Sequence, residues 1–368
     1  MATRGDSGAP RSDTLYYDAL LTTTLAAYRK TMIDNIFKDS AYLAYLRLSS
    51  AISHQDGGER ILIPLMYADN DTVKTHGGYS TLDTTPQDGM TNAAYNWAEI
   101  AGTISISRLE QRQNSGEGRL LNLLEQKTKQ AEMTMREKLN NDLVLGTVSS
   151  STFVPDTAEN GNYGLLPLGY FFRLLNRTDP TTGDVGDIPG DTYSWWRHQV
   201  GIMSGNTQTG QAFELTATTY AAYKVGMRRM YNYCSRGSGG SPDLCVADQI
   251  SFETYENALD TQVRYMNTKM ADMGFDTVKV RGATMIWDEV TPDIYTGTAA
   301  IAKGTVFFLN TKFYNLTIDS ETDIITTPFI EPENQTAKTA KILFMGNASV
   351  NNMRKHGVLC DILTTIAS

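Results

Sequence analysis

Residues 57–90 read GGERILIPLMYADNDTVKTHGGYSTLDTTPQDGM, and the fold turns on what they pack against. Isoleucine and leucine crowd the start of this stretch and predict a β-strand, after which the chain turns polar and glycine-rich. Pro64 withdraws one backbone donor, which suits an edge strand. A return strand is predicted over 94–107 (AYNWAEIAGTISIS), where period-two alternation puts Ile100, Ile104 and Ile106 on one face and Tyr95, Trp97 and Glu99 on the other. Together they predict a long hairpin. Two strands alone are marginal in water, so this hairpin needs a third surface, either the body of its own chain or a neighbouring copy.

The rest of the chain is ordinary globular protein. With 368 residues and 41% hydrophobic content it can bury a substantial core, and its length suggests two or three domains. It has no run of eighteen apolar residues, and its start, MATRGDSGAPRSD, lacks a charged segment followed by an apolar one. No membrane span and no signal peptide are therefore expected, and the protein is expected to be soluble and cytoplasmic when made. Cys234, Cys245 and Cys360 have no CxxC spacing, which predicts buried free thiols rather than a disulfide framework or zinc site. Forty-one acidic against thirty-two basic residues give a net charge of −9, which argues against a protein built to grip phosphate backbones.

Chemistry-bearing motifs do not emerge. His54, His76, His198 and His356 form no HExxH or HxxxH pair, and GxSxG and GxxxxGK[ST] do not occur. The glycines of RGSGGSPD lack dinucleotide-binding spacing. Asp69-Asn70-Asp71 and Asp319 to Asp323 alternate carboxylates but lack the glycine and closing glutamate of a calcium loop. No catalytic, cofactor-binding or metal-binding residue is nominated, and no cofactor is expected. Arg4-Gly5-Asp6 matches an adhesion tripeptide, but it lies in a polar tail. Trp195-Trp196-Arg197 reads as a small satellite core rather than a base-stacking platform. Met227, Met230, Met266, Met270 and Met273 sit at helical spacing, as packing residues do.

Along the chain, 20–48 is helical with a break near Asp39-Ser40. Residues 116–146 carry the longest helical pattern, about 45 Å if fully helical. Its apolar stripe is Leu120, Leu124, Ala131, Met135 and Leu139, with Gly146 placed to end it in a left-handed conformation. Loop-forming residues dominate 154–211, and 177–212 is expected to be an exposed insertion. A helix over 218–233 is followed by a strand in LCVAD, a helix in SFETYENALDTQVRYM, and strands in TVKVRG, ATMIWDE and GTVFFLN, with antiparallel pairing favoured by the short late connections. Residues 323–360 predict another long hairpin. The class is α+β.

Several stretches, in order, carry a resemblance: DNIFKDSAYLAYL, GGERILIPLMYADN with GYSTLDTTPQDGMTNAAYNW, SWWRHQV, SPDLCVADQISFETYENAL, GATMIWDEVTP, GTVFFLNTKFYNL and MGNASVNNMRKHGVLCDI. The chain resembles the major capsid protein of tailed bacteriophages, whose fold is shared with herpesvirus capsid floor domains and encapsulins. The resemblance implies an N-terminal arm over 1–50, an extended E-loop hairpin over 51–108 and a peripheral domain with its spine helix over 109–150. It further implies an axial domain over 151–322, and peripheral-domain strands with a C-terminal return over 323–368. The E-loop would lie across an adjacent subunit, with Arg60, Lys74, His76, Tyr79 and Trp97 as intersubunit contacts. Some such shells are cross-linked through a lysine and an asparagine with a nearby acid, for which Lys74 with Asn351 or Asn352 are candidates only, the match to the family's pattern being loose.

By the same resemblance the protein is no enzyme. It assembles with itself into hexamers and pentamers of an icosahedral shell around double-stranded DNA, touches that DNA weakly and without sequence preference, and avoids membranes. Implied partners are a scaffolding protein, either a separate one or a leading segment already removed from this chain, a portal protein and in some shells a decoration protein. The location is the virion capsid, and the host cytoplasm during assembly. An encapsulin-type protein compartment is the near alternative; a soluble hydrolase or a surface adhesin are distant ones.

Overall fold

The computed structural model describes residues 40–113, 123–149, 152–154, 164–172, 184–204, 211–216, 219–259, 277–291, 304–331 and 336–362. Arg4-Gly5-Asp6, the helical pattern before residue 40, the start of the long helix with Leu120, and Met266, Met270 and Met273 lie outside them. The chain divides into two compact units, one comprising 1–38, 101–135 and 326–342 and the other 39–100, 136–325 and 343–368.

The larger unit is organised by a seven-stranded sheet. The runs LCVA, GTVFFL and GVLCDI are buried along their whole length, as expected of strands covered on both faces. The strand order is Phe213–Glu214, Gln199–Ile202, Gly357–Ile362, Gly304–Leu309, Leu244–Ala247, Ala283–Trp287 and Val278–Val280. Pairing is mixed rather than mainly antiparallel. Leu244–Ala247 runs parallel to Ala283–Trp287, because the connection between them carries the helix Gln249–Ala258 and is long enough to cross over. Gly357–Ile362 also runs parallel to Gln199–Ile202.

Helices Tyr220–Ser235 and Gln249–Ala258 pack with this sheet, and Met227, Met230, Phe252, Phe308 and Leu359 share one buried cluster. Both helices start on a side-chain cap. Thr219 accepts from the Ala222 amide, and Asp248 accepts from Ser251 and, across to the sheet, from Thr305 at 2.8 Å. Gly226 is a packing requirement, since a Cβ there would lie 2.5 Å from the Met203 sulfur. Cys234, Cys245 and Cys360 are buried and free, and burial pushes the thiols of Cys234 and Cys245 far above their usual range.

The expectation of an exposed insertion at 177–212 is overturned where those residues are described, 177–183 and 205–210 lying outside them. Gln199–Ile202 is an interior strand of the sheet, and Val185, Ile188, Trp196 and His198 are buried. Loop-forming composition there marks tight turns, exposed at Asp187 and 191–194, between segments that are buried. The Trp195-Trp196 satellite core is as expected for Trp196, which is buried and donates its indole N–H to the Val185 carbonyl at 2.9 Å.

A second sheet joins Ile52–Gln55, parallel, to Tyr314–Asp319, which pairs antiparallel with the 346–350 end of Ala337–Val350. The two late runs pair as expected, with Ile325–Thr326 beside Ala337–Val350 and Ile330 bridging Thr339 antiparallel, but the hairpin ends at Val350 rather than running on to 360. A short 3-10 turn, Met353–Lys355, separates Ala337–Val350 from Gly357–Ile362, which joins the other sheet. Lys355 fixes this transfer: its buried ammonium donates to the carbonyls of Arg236, Gly237 and Gly240 at 2.9, 3.2 and 3.2 Å. Desolvation lowers its pKa.

The smaller unit begins within Ala98–Ser107 and turns into the helix Arg108–Gln113 through a capping box. Ser107 Oγ accepts from the Glu110 amide at 3.1 Å while the Glu110 carboxylate accepts from the Ser107 amide at 3.0 Å. Lys127, on the long helix Leu123–Val144, donates to that same carboxylate at 3.1 Å. Met135 and Leu139 of the expected stripe are buried, and Gly146 ends the helix at φ +62°.

His356 gives the body a pH dependence. Its Nδ1 accepts from the Asn310 amide at 3.3 Å, and burial lowers its pKa from 6.5 to about 3. The unfolded chain therefore binds more protons between these values. Stability fully present above about pH 6.5 is lost as pH falls toward 3, amounting to about 2 kcal/mol at pH 5. Denaturant unfolding at pH 7 and pH 5 checks this, with His356→Asn, which keeps an acceptor but does not titrate, expected to lose that component. An unchanged pH slope in the variant would assign the acid sensitivity elsewhere.

Candidate assembly interface

The strand Ile61–Met66 pairs antiparallel with Met90–Tyr95, from Ile61 opposite Tyr95 to Met66 opposite Met90. The expected return strand thus divides: Met90–Tyr95 closes the hairpin, and Ala98–Ser107 pairs instead with Ala337–Val350. The break lies at Asn96-Trp97, where long-range bonds replace the ladder. Trp97 donates its indole N–H to the Gly58 carbonyl at 2.9 Å, and Asn347 donates to the Asn96 carbonyl at 2.7 Å.

This two-stranded arm has one face on the body and one in solvent. Ile61 and Leu65 are buried beneath it together with Ala93 and Tyr95. The alternate residues Leu62, Met66 and Met90 are 59%, 79% and 75% exposed. Beyond them the segment 67–89 is almost wholly exposed, with Val73, Tyr79 and Leu82 projecting into solvent. It is held by its own short turns. Asn70 accepts from both the amide and the hydroxyl of Thr72, and Asp83 does the same from Thr85. The Thr85 hydroxyl holds the Asp83 carboxyl below its usual range.

The root is fastened far more firmly than the tip. Tyr95 donates its hydroxyl to the Val350 carbonyl at 2.7 Å. Arg60 reaches Asp187 at 2.6 Å and Asn96 at 2.8 Å. The Ala94 amide donates to the Gly186 carbonyl, and Gly186 sits at φ +60° with its missing Cβ only 3.0 Å from the Tyr95 ring. Tyr67 stacks on Trp195, ring centroids 5.4 Å apart. Asp319 accepts from the Gly57 amide at 3.2 Å, and its carboxyl is held below the usual range chiefly by the Thr322 hydroxyl at 2.6 Å.

Of the residues singled out in the sequence, Arg60 and Trp97 lie at this root with partners in their own chain, whereas Lys74, His76 and Tyr79 lie at the tip. Lys74 faces Asp83 at 3.5 Å, and His76 Nδ1 shares a 2.8 Å hydrogen bond with Ser80. Asn351 and Asn352 follow Ala337–Val350 and are half-buried, with the Asn351 side-chain oxygen buried. The apolar outer face escaped the sequence reading. Its signal is the alternation Leu62, Pro64, Met66 against Ile61, Ile63, Leu65, readable once the buried side is fixed. Among the described residues no cluster of histidine, cysteine and carboxylates could hold a metal ion, and no helix is long and apolar enough to cross a membrane.

The arm thus has a root fixed to the body and an exposed, apolar outer face. Solved structures carry the same arrangement of chain. The cyanophage A-1(L) capsid subunit superposes with a TM-score of 0.58, covering 93% of this chain and 99% of that one at 14% identity. This chain has the tailed-phage capsid fold. The capsid of the Myoviridae phage XM1 matches it with a TM-score of 0.53, covering 96% and 99% of the two chains at 11% identity. The capsid of cyanophage P-SCSP1u gives 0.52 over 90% of each chain, also at 11% identity. No protein-family model matches the sequence, and no curated protein is similar to it. The capsid fold is thus retained in a sequence far from those of its structural relatives.

Proposed function

We propose that the chain is the major capsid protein of a tailed phage, a structural subunit that assembles into hexamers and pentamers of an icosahedral shell around double-stranded DNA. The observation that carries this reading is the arm: a firmly rooted hairpin of the capsid fold whose outer face, Leu62, Met66 and Met90, is left exposed among the described residues. Such a surface becomes stable where each copy covers the next. The arm is then the E-loop. Lys74, His76 and Tyr79 meet the neighbour, and Arg60 and Trp97 fix the direction in which the arm leaves the body. The helix Leu123–Val144 serves as the spine of the peripheral domain, and the seven-stranded sheet forms the axial domain. A scaffolding protein guides assembly, and portal and decoration proteins complete the particle.

Electron microscopy of the purified chain, alone and co-expressed with its scaffold, paired with sedimentation, tests this directly. Closed shells are expected, with DNA as their cargo after packaging. Shells that select a protein cargo would identify an encapsulin-type compartment instead, and a persistent monomer under both conditions would refute the shell reading. A covalent variant follows from the same arrangement: the Lys74 amine displaces ammonia from the side-chain amide of Asn351 or Asn352 in another copy and forms an isopeptide bond. Mature shells boiled in detergent would then run as a ladder of oligomers that Lys74→Arg abolishes. A single monomer band would remove the cross-link and leave the shell reading intact.

A further inference from the structure

From Leu215 to Pro242 the chain contains no aspartate or glutamate, although its overall composition would place about three in a stretch of that length. The same stretch carries Lys224, Arg228, Arg229 and Arg236. The structure lines them up. Positions 224, 228, 232 and 236 follow one another at four-residue spacing along the solvent side of Tyr220–Ser235 and its cap. The stripe is about 18 Å long. Arg228, Arg229 and Arg236 are exposed, and none of the ion pairs found among the described residues involves them. Arg281 joins from the turn between Val278–Val280 and Ala283–Trp287, donating to Asn232 at 2.8 Å.

Two of these guanidinium groups are held in place by aromatic rings. Arg236 lies 3.8 Å above the Tyr233 ring, and Arg281 lies 5.9 Å from the centroid of Tyr231. Planar, always-charged groups fixed in a row suit phosphate oxygens better than a mobile lysine fringe does. The neighbouring helix Gln249–Ala258 brings Glu253 and Glu256 to the edge of this surface, and Glu253 is engaged by Gln249 at 2.8 Å.

We propose that this basic face of Tyr220–Ser235, with Arg281, is the surface on which the assembled shell touches its double-stranded DNA. The proposal rests on the capsid reading and adds to it the place of contact. Charge complementarity selects the occupant. A duplex presents about ten phosphate charges over the length of the stripe, and the row has no acidic residue of its own to compete with them. On a subunit of net charge −9 the contact is local. It holds the outermost DNA turns without binding the rest, and the grip is sensitive to salt.

The test uses the full-length chain before assembly, titrated with a fluorescent duplex of about twenty base pairs, a length that exceeds the stripe. The five cations, if all engaged, give a slope of log affinity against log salt of about −4.5, a loss of roughly 500-fold between 50 and 200 mM. Arg228→Glu with Arg229→Glu is expected to weaken binding at low salt by more than tenfold. Lys224→Glu with Arg236→Glu is expected to do the same, and Lys338→Glu with Lys341→Glu to leave it unchanged. A parallel titration with poly-glutamate separates nucleic acid from an acidic polypeptide.

Equal binding of poly-glutamate without the DNA salt slope would make the stripe a protein-docking surface and overturn the proposal. So would duplex binding that ignores both charge reversals, or a folded double variant that no longer builds shells, which would mark a subunit contact. Wild-type chain that builds no shell under any condition would instead fail the capsid reading, while the subunit titration still reports on the stripe.

Discussion

Replacing both Leu62 and Met66 with aspartate is expected to leave a folded subunit that no longer builds shells. These side chains are more than half exposed, so their loss changes the stability of the isolated subunit by no more than about 0.5 kcal/mol. In an assembly the balance reverses. Covering a leucine and a methionine contributes about 1.5–3 kcal/mol each, and the introduced carboxylates must in addition be stripped of water. A deficit of about 3–5 kcal/mol per subunit weakens each arm contact by two to four orders of magnitude, and a closed shell repeats that contact in every subunit. Unfolding curves that match wild type, with sedimentation showing only small species and microscopy showing no shells, would be the full signature. Shells forming at wild-type concentrations would show that this face of the arm is not the assembly surface. Leu62→Met, which keeps the apolar volume, is expected to assemble normally.

Trp196→Ala is expected to cost about 3–5 kcal/mol of folding stability, the largest effect foreseen for a single side chain here. The indole is 1% exposed, and its N–H is bonded to the Val185 carbonyl. Truncation would leave a cavity and remove one hydrogen bond from the Val185 carbonyl, which keeps its strand partner Ile188. Because Val185 begins the tight turn whose Gly186 carbonyl binds the Ala94 amide, the damage should spread to the arm root. Two measurements separate local from global effects. Urea unfolding gives the total cost, and hydrogen exchange at Ala94 reports whether the root has loosened. Trp196→Phe, which fills most of the space but offers no donor, should cost about 0.5–1.5 kcal/mol, the net loss of one hydrogen bond, since the Val185 carbonyl keeps its strand partner Ile188. A loss below about 1 kcal/mol for Trp196→Ala would mean that the pocket collapses without effort and that the arm is fixed by Arg60 and Tyr95 alone.

Local pattern was enough for most individual elements. LCVA, ATMIW, GTVFFL and the helix at 220–235 are readable because their hydrophobic period is complete within a few residues. What eluded the reading depends on distant partners. The break at Asn96-Trp97 is invisible locally, since the groups that replace the ladder belong to Gly58 and Asn347. Residues 184–204 looked like surface because glycine, aspartate and proline signal turns, and the turns at Asp187 and 191–194 are indeed exposed, yet Val185, Ile188 and Trp196 are buried and the strand Gln199–Ile202 finds its neighbour at Gly357–Ile362. That the tip carrying Lys74, His76 and Tyr79 is polar, exposed chain was legible from composition. Leu62 and Met66 were not, because the letters that announce a core strand are the same ones that cover its outer face. Only the register, Met66 opposite Met90, shows which side is left in water.

The placement of Gly357–Ile362 between Gln199–Ile202 and Gly304–Leu309 also sets a timetable. On the ribosome the arm strands, complete by residue 95, emerge roughly 15–50 s before residue 362. During that interval the sheet lacks one of its inner strands, so the arm is already on display while the body that must hold its root is still open. A nascent chain in this condition is an early recruit with no footing, prone to pair with the wrong neighbour on the same message. Stalling translation just short of residue 357 would trap that species. Synonymous codons that slow the last third of the gene should lower the yield of shells without changing a single contact in the finished subunit.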